Sequence, residues 1–144
     1  MNDVRKLYST IIKFHNELPF HFEKISNAQF TIKAYNQVCG DRFELYIDED
    51  ENKIKALHFH GFGCAISKAS ASVLVKSMEG KTLTEALAVC KHFLRFLNKD
   101  LNDNELILSA EFQAFFGVHD FPERYDCASL AWKEMKIFLE SRMK

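Results

Sequence analysis

Neither sign of charge dominates this sequence: Lys and Arg total 19, Asp and Glu total 20, and the formal net charge is -1. The basic field that draws proteins to phosphate backbones or anionic lipid is missing, which argues against nucleic-acid and membrane partners. No apolar run approaches the ~18 residues that span a bilayer, and no n-region followed by an apolar h-region opens the chain. Four cysteines in 144 residues are too few for a disulfide scaffold; they point to a reducing compartment and to metal binding, redox work or plain burial. Internal repeats, low-complexity tracts and linkers are also absent. The sequence does have 47% apolar and 27% charged residues, enough for one packed core under a polar surface. The expectation is a cytoplasmic, single-domain protein over residues 1–144.

The hydrophobic pattern changes period along the chain. Val4, Leu7, Tyr8, Ile11, Ile12 and His15 form the apolar stripe of a helix over residues 4–15. Period-two alternation then predicts three antiparallel strands, carrying Phe30, Ile32 and Ala34, then Phe43, Leu45 and Ile47, then Leu57 and Phe59. The acidic run Asp48 to Glu51 with Asn52 reads as a solvated hairpin loop between the second and third strands. A helix with a small-residue face (Ala65, Ala69, Ser72, Val73) runs from Cys64 to a stop at Gly80. Thr82 and Glu85 have capping-box spacing at the head of a second helix, whose seam is Leu83, Leu87, Cys90, Leu94 and Leu97. That seam assigns Cys90 to the core. Asp103 is the expected cap of a third helix carrying Leu106, Ala110 and Phe115 to a stop at Gly117. Pro122 predicts an extended passage before a last helix from Asp126, whose stripe runs from Ala128 to Leu139. Strands followed by runs of helix predict an α+β domain, with helices on one face of a small three-stranded antiparallel sheet.

The other three cysteines sit at junctions, in Cys39-Gly40-Asp41, Gly61-Phe62-Gly63-Cys64 and Arg124-Tyr125-Asp126-Cys127. Cys39 falls in the turn between the first two strands. Cys64 and Cys127 fall at the first residues of two predicted helices, with Gly63 and Asp126 as caps, where unpaired N–H groups favour thiolate over thiol. With Asp41 as a fourth donor, these residues are candidates for a shared metal or sulfur site.

Taken together, Tyr35 to Arg42, Gly61 to Ser72, Gly80-Lys81-Thr82 and Cys127 to Trp132 resemble the signatures of the IscU/NifU-like iron–sulfur cluster assembly proteins. Tyr8, Ile12, His15 and Pro19 match that family's N-terminal helix. The long segment from Gly80 to Cys127, and Asp126 where IscU-type scaffolds place a histidine, resemble the SufU branch. The resemblance implies a SufE/NifU-like fold and zinc held by Cys39, Asp41, Cys64 and Cys127. It further implies a zinc-dependent sulfurtransferase that accepts sulfur from the persulfide of a PLP-dependent, SufS-like cysteine desulfurase and passes it to downstream iron–sulfur assembly proteins. Three thiolates and a carboxylate suit tetrahedral zinc, and Arg124 is expected to offset the surplus negative charge from just outside the ligand set, as part of the catalytic site. Asp41 and Cys39, sharing a tight turn, are expected to swing out together. A partner's side chain would replace Cys39 on zinc, and the freed thiolate would attack the sulfane sulfur.

Two other readings stand beside this one. The same ligands could hold a [2Fe-2S] cluster on a scaffold, or the zinc could be purely structural in an interaction module. Gln37, Phe62, Glu123 and Asp126 depart from the family pattern, and the added negative charge beside Cys127 should weaken thiolate formation there. Among the histidines, His58 and His60 are expected as a surface pair on the solvent face of the third strand. His15 is expected to be half-buried, and His92 and His119 have no partner that the sequence supplies.

Overall fold

The computed structural model of the chain describes residues 2–100 and 109–143, with side chains from Thr10 onward. In chain order it contains α1 (Asn2–Glu17), β1 (Phe30–Asn36), β2 (Asp41–Asp50), β3 (Lys53–Phe62), α2 (Ala65–Met78), α3 (Leu83–Leu97), α4 (Ala110–Gln113), a 3-10 turn over Phe116–Asp120, and α5 (Pro122–Arg142). The strands form one antiparallel sheet in the order β1-β2-β3, in which Ala34 faces Phe43, and Leu45 faces Phe59.

Strand alternation decides which face is covered. Ala34, Phe43, Leu45, Ile47, Leu57 and Phe59 are buried under α2 and α5, while Thr31, Lys33, Arg42 and His60 lie on the other face and are exposed. Helix α1 packs on α2, and α3 packs on α5. The interior contains an aromatic cluster in which Trp132 stacks on Phe93 at 4.2 Å and meets Phe112 edge-on at 5.5 Å. The Trp132 indole N–H donates to Ser70 Oγ at 2.9 Å, so its one polar atom is satisfied at full burial. The small residues of α2 allow this close approach, since Ala69, Ser70, Ala71 and Ser72 are all buried.

Several elements differ from the sequence reading for identifiable reasons. The acidic run is mostly strand: only Glu51 and Asn52 turn, with φ of 51° and 64°, as a two-residue hairpin requires. A bulge between Asp48 and Glu49 redirects the strand, Asp48 accepts the Gln29 N–H at 2.7 Å, and Glu49 pairs with Arg142. In α3 the capping box of Thr82 and Glu85 forms. The buried face is centred on Ala86, Cys90 and Phe93, which leaves Leu87 and Leu94 half-buried. Asp103 and Leu106 of the expected third helix lie outside the described residues. From Ser109 the chain forms the single turn α4, capped by the Ser109 hydroxyl, and Gly117 lies within the 3-10 turn without ending a longer helix. Helix α5 begins at Pro122, four residues before the expected start, because a proline lacks the N–H that a first helical residue leaves unpaired.

Candidate metal centre

The β1–β2 turn, the start of β2, the N-cap of α2 and the second turn of α5 bring the candidate ligands together. Cys39 lies on the turn and is exposed, beside Val38, which is 95% exposed. Asp41 is the first residue of β2 and is fully buried. Cys127 is buried on α5, and its Sγ lies 3.9 Å from Cys39 Sγ. The ligand atoms of Cys39, Asp41 and Cys127 all lie within 4.8 Å of one another, the one such group among the described residues. Cys64 stands beside them as the N-cap of α2, its Sγ accepting the Ser67 N–H at 3.4 Å.

Asp41 is held on one side only. Its Oδ1 accepts from the Cys64 N–H at 3.0 Å and from the Ser67 hydroxyl at 3.0 Å, while the buried Oδ2 has no hydrogen-bond partner. A buried carboxylate oxygen without a donor is costly unless something positive completes it. The thiols give the same indication. Burial pushes the Cys127 thiol up, and the neighbouring Cys64, Asp41 and Cys39 add to the shift, because a second negative charge here is unfavourable. A divalent cation would reverse that balance, since a coordinating thiol is deprotonated outright. The spacing also fits: two sulfurs bound at ~2.3 Å to one tetrahedral ion sit ~3.8 Å apart. By donor chemistry and geometry, Cys39, Asp41 and Cys127 suit zinc, and Cys64, outside that group but in contact with Cys127, is the candidate fourth donor.

The glycines of Gly61-Phe62-Gly63-Cys64 make room for this arrangement. A Cβ on Gly63 would lie 2.6 Å from Asp41 Oδ1 and 2.6 Å from Ser67 Oγ, and one on Gly61 would lie 2.0 Å from the Arg42 carbonyl oxygen. Behind Cys64 opens a cleft of about 600 Å³ whose walls are mostly apolar, including Ile12, Ile66, Val118 and Phe121, with Arg124 and Glu123 at its edge.

Two features of the expected site are corrected. Cys127 is the sixth residue of α5 and Asp126 is no cap, so the helix N-terminus does not favour the Cys127 thiolate as it would at a first residue. Asp41 does not share Cys39's freedom: Gly40, at φ 76°, lets the chain turn from an exposed Cys39 to an Asp41 anchored by α2. Arg124 is exposed on the first turn of α5. Cys90 is buried in the core, and burial pushes its thiol up to about 12.

The histidines lie away from the centre. His60 is exposed and His58 is half-buried, stacked on His21 at 4.8 Å. His15 is fully buried: its Nε2 meets Glu111 at 2.5 Å, and its Nδ1 meets Ser72 Oγ at 2.7 Å. Ser72 also accepts the Phe20 N–H at 2.8 Å, so this polar chain ties α1 to α2 and α4. Its order resembles a hydrolase triad, but the Ser72 hydroxyl is sealed inside the protein. His119 bonds the Phe96 carbonyl at 2.7 Å. The contribution missed in the sequence is that of Ser67, which lies three residues after Cys64 and carries a hydroxyl at the N3 position of a cysteine-capped helix.

The profile of the NifU-like N-terminal domain family matches residues 7–128. Among curated proteins, the iron–sulfur cluster assembly scaffold protein IscU of Streptococcus pyogenes serotype M1 is 32% identical over 136 residues, covering 94% of this chain and 84% of that protein. The zinc-dependent sulfurtransferase SufU of Bacillus subtilis is 32% identical over 130 residues, covering 90% and 87%. Among solved structures, the proposed iron–sulfur cluster assembly scaffold protein for the SUF system (SufU) of Fervidobacterium islandicum AW-1 superposes with a TM-score of 0.82 at 34% identity, covering 93% of this chain and 97% of that one.

Proposed function

This chain belongs to the NifU-like N-terminal domain family of iron–sulfur cluster assembly proteins, and from that premise we propose that it is a zinc-dependent acceptor of persulfide sulfur. Cys39, Asp41, Cys64 and Cys127 are the proposed zinc ligands. The proposed donor is a PLP-dependent, SufS-like cysteine desulfurase, and the proposed recipients are later iron–sulfur assembly proteins in the cytoplasm. The observation that carries this reading is the contrast within the cluster: Cys39 is exposed on a turn, while Asp41 and Cys127 behind it are buried. One thiol can meet a partner while the rest of the set stays anchored.

Zinc, when bound, supplies a positive charge that keeps its cysteine ligands as thiolates at neutral pH. The remaining chemistry belongs to the chain. The Cys39 thiolate attacks the outer sulfur of the desulfurase persulfide; the S–S bond of the donor breaks, the donor cysteine leaves as thiolate, and Cys39 becomes the persulfide. Exposed Val38 and Phe62 flank the cluster and give a docked partner an apolar rim that excludes water. Arg124, at the edge of the cleft behind Cys64, offsets the negative charge of the ligand set and of the leaving thiolate.

A [2Fe-2S] scaffold is the second reading, favoured by the names of the Streptococcus and Fervidobacterium proteins. Asp126 in place of a histidine before Cys127 is the feature against it. The test is to mix the chain with a cysteine desulfurase and measure turnover, with mass spectrometry of Cys39. The wild type is expected to stimulate turnover and to carry one added sulfur on Cys39, and Cys39→Ser to do neither. A Cys39→Ser variant that stimulates fully would overturn the proposal.

A further inference from the structure

Ser67 joins two of the proposed ligands. It is 3% exposed, in the first turn of α2. Its hydroxyl lies 3.0 Å from Asp41 Oδ1, 3.0 Å from the Cys64 carbonyl oxygen and 3.6 Å from Cys64 Sγ. The Cys64 S–H donates to this hydroxyl, whose own single hydrogen serves one of two acceptors at a time, and a carboxylate oxygen is a stronger acceptor than a backbone carbonyl oxygen. With the Cys64 N–H at 3.0 Å, Oδ1 then has two donors and Oδ2 has none. The two oxygens of Asp41 are unequal before any ion arrives.

We propose that Ser67 is a positioning residue of the metal centre: by holding Asp41 Oδ1 it fixes the carboxylate so that Oδ2 alone is offered to a divalent cation. The inference rests on the ligand set proposed above and names the group that orients one member of it. The Cys64 N–H alone leaves the carboxylate free to rotate about that single bond, and then both oxygens can reach the ion or neither. The Ser67 hydroxyl closes a second bond to the same oxygen and removes that freedom. The adjacent Gly63 is part of the device, because the space a Cβ would take there is occupied by Ser67 Oγ and Asp41 Oδ1.

The experiment is zinc affinity by competition with a chromogenic chelator, together with the visible absorption of the cobalt(II)-substituted chain. It is run on the full chain as wild type, Ser67→Ala, Ser67→Thr, Asp41→Ala and Asp41→Ala with Ser67→Ala. Loss of an outer hydrogen bond to a metal ligand typically weakens binding about 10–100-fold, and that is the loss expected of Ser67→Ala. Ser67→Thr, which keeps the hydroxyl, is expected to match the wild type in affinity and in its cobalt spectrum. In the Asp41→Ala background, removal of Ser67 is expected to change nothing further, because the group it holds is gone. Equal loss in both backgrounds would reduce Ser67 to a structural residue, and unchanged affinity in Ser67→Ala would likewise overturn the proposal. Should Ser67→Ala fail to fold, Ser67→Thr against Ser67→Val makes the same comparison at constant shape. A wild type that binds no zinc, or an Asp41→Ala variant that binds as the wild type does, refutes the ligand set itself before any Ser67 variant is compared.

Discussion

Gly63→Ala tests how tightly the metal centre is built. The added Cβ would stand 2.6 Å from Asp41 Oδ1, 2.6 Å from Ser67 Oγ and 2.7 Å from Phe43 Cε2, whereas ordinary carbon contacts lie at ~3.5–4.0 Å. Phe43, Asp41 and Ser67 are all buried, so the overlap of about 1 Å has no solvent into which to relax. The backbone at Gly63 is not in the left-handed region, unlike Gly40, Gly61 and Gly80; the penalty is therefore steric and falls on the cradle of Asp41. Overpacking of this kind costs about 1–3 kcal/mol. With a urea m-value of about 2 kcal/mol/M, the unfolding midpoint of the metal-free chain should fall by about 0.5–1.5 M. Zinc affinity should fall as well, because two of the three nearest neighbours are the carboxylate and the hydroxyl that orients it. The assay is urea unfolding of the chelator-treated chain beside a zinc competition titration. A Gly63→Ala variant with the wild-type midpoint and wild-type zinc affinity would show that the cradle is not packed as described.

The cysteines should separate by accessibility: alkylation of the metal-free chain at pH about 8, read by mass spectrometry, is expected to modify Cys39 first and Cys90 only on unfolding. Cys90 reacting at the rate of Cys39 would contradict its place in the core. At Glu111, burial raises the carboxyl, but hydrogen bonds from Lys76 and His15 and their charges outweigh it and hold the pKa below its ordinary value. Because the folded value is depressed, the stabilisation is present above the unfolded value of about 4.3 and is lost as pH falls through the folded one. Glu111→Gln should therefore lower stability at neutral pH by about 1–3 kcal/mol for lost charged hydrogen bonds, read as a lower urea midpoint. The gap to wild type should close as pH falls below the unfolded value and on through the folded one, and a gap that stays constant over that descent would contradict the ion-pair account.

Much of this was legible in the sequence because the local rules are strong there. Alternation of Phe43, Leu45 and Ile47 with Arg42, Glu44 and Asp48 indicated the covered face of the sheet, although Tyr46 between them is buried as well, and the spacing of Thr82 and Glu85 located a helix start to the residue. The parts that were not legible depend on tertiary context. Pro122 is compatible both with an extended passage and with a first helical position, and the packing of α5 on the sheet decides between them. His15 lies at the edge of its helical stripe, and its polar partners Glu111 and Ser72 are 96 and 57 residues away. The cysteines and Asp41 stood out by residue type and junction placement. The anchoring of Asp41 depends on Ser67 Oγ, 26 residues away, for which a serine within a serine-rich helix offers no separate signal.

The central claim is tested most directly by metal and acid-labile sulfide content per chain, on protein purified anaerobically without added metal or chelator. Zinc at about one equivalent with no sulfide is the expected result, and in Cys127→Ser that zinc should be lost. Iron with matching sulfide in the wild type would make the centre a cluster scaffold and contradict the account.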